Sequence, residues 1–149
     1  MNKPGLIDPP QNLVEMSARA VAALDAFRHV YDAARGADGD RLSAGLSEPF
    51  LRACRASDFV SDQMQRDSEG FVSLFASGAL DRSMGKGELR LLLEDALQSC
   101  ASEDALMRTL RQFRNRQQVR IIWRDVNRTA DLAETCRDLS DLADACIDL

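Results

Sequence analysis

The sequence is poor in the residues on which most small active sites are built. It holds one histidine, His29, one tryptophan and one tyrosine, and His29 sits on a predicted helix, where it is read as a core-edge or surface residue. Its four cysteines, Cys54, Cys100, Cys136 and Cys146, form no C-x-x-C pair. They fall at apolar helical positions and are expected to be small core residues, not disulfides or zinc ligands. β-branched runs and Asn-Gly turn signals are missing, which argues against sheet. No run approaches the roughly 20 apolar residues of a membrane span, and the opening MNKPGLIDPP lacks the apolar centre of a secretion signal. A cytoplasmic chain with no membrane partner is therefore expected.

What the sequence has in quantity is Ala, Leu, Arg and Asp, a composition that favours helix. Its 149 residues suit one domain able to bury roughly 70% of its unfolded surface without staples. A net charge of −5 argues against a nucleic-acid partner, because phosphate attraction requires a basic surface.

Residues 1–11 read as an irregular leader closed by Asp8, Pro9 and Pro10. A helix is predicted from about Asn12 to Ala34, where Leu13, Ser17, Ala20, Leu24, Phe27 and Tyr31 alternate four and three apart as a packing seam. Gly36 ends it, and GADGDRLSAG reads as a flexible connector. Three short helices are predicted next: Glu48 to Cys54 with Pro49 in its first turn, Asp58 to Gln65 capped by Ser57, and Glu69 to Ala76 capped by Asp67 or Ser68 and stopped by Gly78. Helices this short are marginal alone and must pack on longer ones. Met84 to Cys100 reads as a longer amphipathic helix with Leu89, Leu92, Leu93, Ala96 and Leu97 on its buried side.

The most informative stretch is ALMRTLRQFRNRQQVRIIWRDVNR, residues 105–128. At about 100° per residue, Leu106, Leu110 and Phe113 fall on one side and Val119, Ile122 and Val126 nearly opposite, so this helix is expected to be covered on both sides. Arg116, Arg120, Arg124 and Arg128 recur every fourth position, a row that drifts only about 40° per step and brings Arg120 and Arg124 onto the side begun by Leu110 and Phe113. Two readings stay open for this row: guanidiniums laid on the core and paired with acids of neighbouring helices, or a docking face for an acidic partner or adjoining domain. Ser102 is the expected cap of this helix and Thr129 that of the last one. The short link between them predicts an antiparallel pair. In the last helix Leu132, Cys136, Leu139, Ala143, Cys146 and Ile147 form one apolar face, expected to be buried. Asp131, Glu134, Asp138, Asp141 and Asp148 form an acidic row on the other side, expected to be solvated, with a basic surface on a neighbouring domain as the alternative.

Two scraps of chemistry-bearing pattern occur. Asp38-Gly39-Asp40 could in principle share a divalent ion, but polar turn residues are the ordinary content of a connector. Gly85-Lys86-Gly87 lacks the preceding strand and spacing of a phosphate loop and is read as a loose helix start. No catalytic, cofactor-binding or metal residue is assigned. The helical pattern is still running at Leu149, as though the chain were cut there.

Four short pieces in order carry a resemblance: Ser57-Asp58-Phe59, LRxFRxR across Leu110 to Arg116, RIxWRD across Arg120 to Asp125, and LSxLADA across Leu139 to Ala145. Together they resemble the N-terminal region of bacterial bifunctional glutamine synthetase adenylyltransferase/adenylyl-removing enzymes, from about Arg52 onward. Asn115, Gln117, Gln118 and Ile122 depart from the family pattern mildly. The resemblance implies a parent that transfers AMP from ATP to a tyrosine of glutamine synthetase and removes it by phosphorolysis, with Mg²⁺ as cofactor and the PII signalling protein as regulator. The resemblance places the Gly-rich loop and following D-x-D of such nucleotidyltransferase sites downstream of Leu149, so Asp38 and Asp40, far upstream in a connector, are not their equivalents. The expectation is an all-α fold, an irregular helical bundle ending in a long antiparallel helix pair, spanning 12–149 and preceding a nucleotidyltransferase domain that lies elsewhere. Such a fragment is expected to be inactive alone. A free-standing all-α interaction module is the alternative.

Overall fold

Seven helices follow one another in the computed structural model, which describes residues 11–35 and 40–148. They are α1 Gln11–Arg35, α2 Asp40–Ala56, α3 Asp58–Arg66, α4 Ser68–Ala76, α5 Glu88–Leu97, α6 Glu103–Val126 and α7 Leu132–Ile147. Among the described residues no strand occurs, and no helix is long and apolar enough to cross a membrane. Residues 1–10 of the expected leader and Asp38-Gly39 lie outside the described residues, and Gln11 already belongs to α1.

The helix starts are set by local capping. Ser57 accepts from the Val60 amide, Asp67 from Gly70, Ser102 from Ala105 and Asp131 from Glu134, each satisfying one of the amides that a helix start leaves without a partner. The last helix is thus capped by Asp131, two residues after the expected Thr129. Two boundaries also differ from expectation. Helix α2 begins at Asp40, so half of the expected connector is helical and Pro49 lies inside the helix, not in its first turn. Nothing from Arg41 to Ala44 breaks a helix, and Gly45 costs only about 1 kcal/mol. Helix α5 runs Glu88–Leu97, shorter than expected at both ends; it starts late because Gly87, at φ 76°, adopts a left-handed conformation that halts helix on its N-terminal side. There the Glu88 carboxylate accepts from the Gly85 amide at 2.8 Å and from Arg82.

Helix α6 divides the core. On one side lie Ala20, Leu24, Phe27 and Tyr31 of α1, Phe50 and Cys54 of α2, Val60 and Met64 of α3 and Phe71 of α4, all packed with Val119 and Trp123. Phe27 is the hub, with ring centroids 5.2 Å from Phe50 and 5.7 Å from Tyr31, while Phe50 meets Trp123 edge-on at 6.4 Å. Removing Phe50 would cost about 3–5 kcal/mol in lost transfer energy and cavity. On the other side Ala79, Met84, Leu89, Leu93, Ile121, Leu142 and Ala145 form a second cluster, flanked by Leu110 and Phe113. Helix α6 is therefore covered on both sides, as its two apolar stripes predict.

Candidate functional site

The arginines of α6 meet the carboxylates of its neighbours. Arg116 makes a two-pronged bond to Asp67, with Nη2 donating to Oδ1 at 2.9 Å and Nε donating to Oδ2. The same carboxylate caps α4 through the Gly70 amide at 3.2 Å, so one acid both starts a helix and ties it to α6. A side chain at Gly70 would land on the Arg116 and Asp67 head groups, which explains the glycine.

One turn on, Arg120 is fully buried. Its Nη1 donates to Asp138 Oδ2 at 2.9 Å, its Nε to the Ala79 carbonyl at 3.2 Å and its Nη2 to the Arg82 carbonyl at 3.3 Å. Burial pulls the Arg120 guanidinium below its ordinary pKa, and the hydrogen bond and charge of Asp138 oppose that shift, as expected for a desolvated cation held by one counter-ion. Arg124 repeats the arrangement, donating to Glu134 Oε1 at 2.8 Å and to the Leu80 and Thr129 carbonyls at 3.0 Å each. The planar fork of arginine suits this work, because it binds a carboxylate and two carbonyls in one plane.

These contacts run in opposite senses along the two helices: Arg124 meets Glu134, Arg120 meets Asp138, and the second cluster joins Phe113 and Cys146. The middle of the acidic row of α7 is thus turned inward, with Asp138 buried and Glu134 and Asp141 half-buried, while Asp131 and Asp148 at its ends are exposed. This corrects the expectation of a solvated acidic face at Glu134, Asp138 and Asp141. The apolar face is correspondingly turned out: Leu132 is 76% exposed, Leu139 45% and Ile147 79%, and Cys136 and Ala143 are exposed with them. Two sides of α7, its acids and its apolar face, competed for the same seat on α6. The acids won because Glu134 and Asp138 share the four-residue spacing of Arg120 and Arg124. Cys136 is accordingly not the core residue expected of it, whereas Cys54 is buried and Cys100 and Cys146 are half-buried.

Arg128, the fourth of the row, lies beyond the end of α6. It is exposed and takes a left-handed conformation at φ 58°, where its amide donates to the Asp125 carbonyl at 3.0 Å. Of the four arginines for which pairing with neighbouring acids and docking were both open, Arg116, Arg120 and Arg124 hold internal partners and Arg128 faces outward.

For nucleotide and Mg²⁺ the residues here are a poor fit. A magnesium ion needs carboxylate oxygens free to converge on it, yet Asp67, Glu134 and Asp138 are each taken by an arginine. Among the described residues no group of three or more His, Cys, Asp or Glu is placed to hold a metal. An open apolar cleft of about 330 Å³ lies beside the Arg116 clamp, lined by Leu74, Met84 and Phe113 among others, and it has no acidic lining. Lys86 and Gly87 border a depression shared with Arg90, Asp141, Asp144 and Asp148, where acids outnumber bases and no phosphate-loop geometry is formed.

What these features define is an all-α scaffold whose buried charges serve helix-to-helix attachment. The particular family follows from comparison with known proteins. The family model described as glutamate-ammonia ligase adenylyltransferase matches residues 47–149, and the chain belongs to that family. It is 48% identical over its whole length to a bifunctional glutamine synthetase adenylyltransferase/adenylyl-removing enzyme of Pseudomonas aeruginosa, and 50% identical over 137 residues, 92% of the chain, to the corresponding enzyme of Pseudomonas syringae pv. tomato. The chain spans only 15% and 12% of those two relatives' lengths, in their N-terminal region. No solved structure matches the chain.

Proposed function

We propose that this chain is the N-terminal helical part of an enzyme that attaches AMP to glutamine synthetase and removes it again, and that it acts as a support for catalytic domains outside it. The observation that carries this reading is the identity over the full chain to the N-terminal region of enzymes bearing that name. The internal use of the arginine row agrees with it, since Arg116, Arg120 and Arg124 are spent on holding α4 and α7 to α6. The reading places the protein in the cytoplasm, with ATP and Mg²⁺ acting at sites elsewhere in the polypeptide and with glutamine synthetase and the PII protein as partners. Any docking by the arginine row falls to Arg128, the outward-facing member.

The test is to incubate the complete gene product with ATP, Mg²⁺ and glutamine synthetase and to follow the mass of the glutamine synthetase subunit. Gain of one AMP per subunit, and its loss on addition of phosphate, is expected from the complete product and not from residues 1–149 alone. AMP transfer by the 149-residue chain would overturn the division of labour, and no transfer by the complete product would overturn the reading itself.

A further inference from the structure

Helix α7 is amphipathic, but it is bound to the bundle by its acidic side. Leu142 and Ala145 enter the second cluster beside the Arg120–Asp138 pair, and the face carrying Leu132, Cys136, Leu139, Ala143 and Ile147 is exposed along its length. This face runs the 16 residues of the helix, about 24 Å at the helical rise. Its apolar positions recur four, three, four and four apart, the spacing that seats a second helix.

Leaving such a face in water forfeits about 1.5–3 kcal/mol for each large side chain that could be buried, and continuous apolar patches of this kind mark interaction surfaces. Two features identify the occupant. The exposed residues are aliphatic with no charge among them, which calls for a partner of the same chemistry. And the chain spans only 15% of the P. aeruginosa relative, so most of a polypeptide of that size lies elsewhere, joined covalently, which makes its docking an intramolecular event. A second copy has no such advantage. We infer that the exposed face of α7 is the seat of an apolar helix supplied by the remainder of the same polypeptide. On this view α7 is a two-sided strut, with salt-bridged acids toward α6 and aliphatic contact toward the rest of the enzyme. The inference rests on the reading of this chain as part of a longer enzyme.

Cys136 is a built-in probe, since it lies in the middle of that face and is exposed here. Cys54 serves as the buried reference, its thiol pushed up to about 11 by burial. The complete gene product is labelled with a maleimide in native buffer and in denaturant, and the rate at each cysteine is read by peptide mass spectrometry. A covered face predicts native labelling of Cys136 at least about tenfold slower than in the unfolded chain, because reaction must wait for local opening. Leu139→Asp in the same protein is expected to bring the native rate back toward the unfolded one while Cys54 stays protected. Native labelling of Cys136 within about twofold of the unfolded rate would overturn the inference, as would protection that vanishes on dilution, the mark of a second copy as cover. The wild-type rates alone decide the matter should the variant not fold. Failure of the underlying reading is told apart beforehand: a gene product with no polypeptide beyond these residues removes the occupant without any labelling.

Discussion

The deepest test of the packing is removal of one half of the Arg120–Asp138 pair. Asp138→Ala leaves a guanidinium that is 0% exposed with two carbonyl acceptors, Ala79 and Arg82, and no counter-ion. Breaking a buried pair from one side typically costs about 3–5 kcal/mol, several times the value of an exposed pair. Set against the roughly 5–15 kcal/mol that holds a domain of this kind together, that is a large fraction. With each kcal/mol worth about 2–4 °C for a chain of this size, the midpoint of thermal unfolding should fall by about 10 °C. Asp138→Asn keeps the shape and an acceptor oxygen but not the charge, and its loss should be smaller. Replacing both partners, Arg120→Met with Asp138→Leu, removes the charges together, so the double variant should be more stable than Asp138→Ala alone. It should still fall short of the native protein, since the Ala79 and Arg82 carbonyls lose their donor at about 1–3 kcal/mol each if left unsatisfied. Urea unfolding followed by helical circular dichroism supplies the free energies of all four proteins. A loss below about 1 kcal/mol for Asp138→Ala, the value of a surface pair, would refute the claim that this pair is buried and holds α7 to α6.

Three further outcomes follow from the same geometry. Gly70→Ala should cost about 1–3 kcal/mol through overpacking, and adding Arg116→Ala to it should cost little more, because the new side chain already displaces the Arg116–Asp67 contact; additive losses in a double-mutant cycle would contradict this. Arg128→Gly should raise stability by about 0.5–1 kcal/mol in urea unfolding, since a left-handed φ of 58° strains any residue with a side chain. Glu88, hydrogen-bonded by Arg82 and then by the Gly85 amide, is held below its ordinary 4.5; its contribution is present in full above about that pH and is lost as pH falls through the lower folded value. The stability difference between the native protein and Glu88→Gln should therefore shrink on acidification, and a difference that is constant from neutral pH to pH 3 would count against the bond.

Much of this fold is written in local signals. Ser57, Asp67 and Ser102 cap the helices expected of them because a side-chain oxygen at a helix start answers amides that nothing else in the helix can reach. The two-sided character of α6 is also legible, since Leu110 and Phe113 stand nearly opposite Val119 on the helical wheel. The orientation of α7 is not. Its periodicity shows two faces of comparable strength, and hydrophobicity alone turns Leu132, Leu139 and Ile147 inward. The deciding fact is a match between helices: Glu134 and Asp138 step by four, as Arg124 and Arg120 do in the opposite sense, and buried arginines without counter-ions would be far costlier than exposed leucines. That signal becomes visible once the two rows are set side by side. Asp67 was legible as a cap but not as the partner of Arg116, because 49 residues separate them and local pattern carries nothing over that distance. The early start of α2 was hidden by Gly45 and Pro49, which read as breakers although each is tolerable when tertiary packing supports the helix.

The central claim, that α7 is bound through its acids to buried arginines of α6, is tested most directly by the side-chain Nε–H signals of Arg120 and Arg124 in nuclear magnetic resonance. Both protons are engaged, one by the Ala79 carbonyl and one by Glu134. They should therefore give sharp signals that exchange with water far more slowly than those of exposed Arg108, Arg111 and Arg128, and Asp138→Ala should weaken that protection at Arg120. Exchange at Arg120 and Arg124 as fast as at the exposed arginines would place these side chains in solvent and contradict the account.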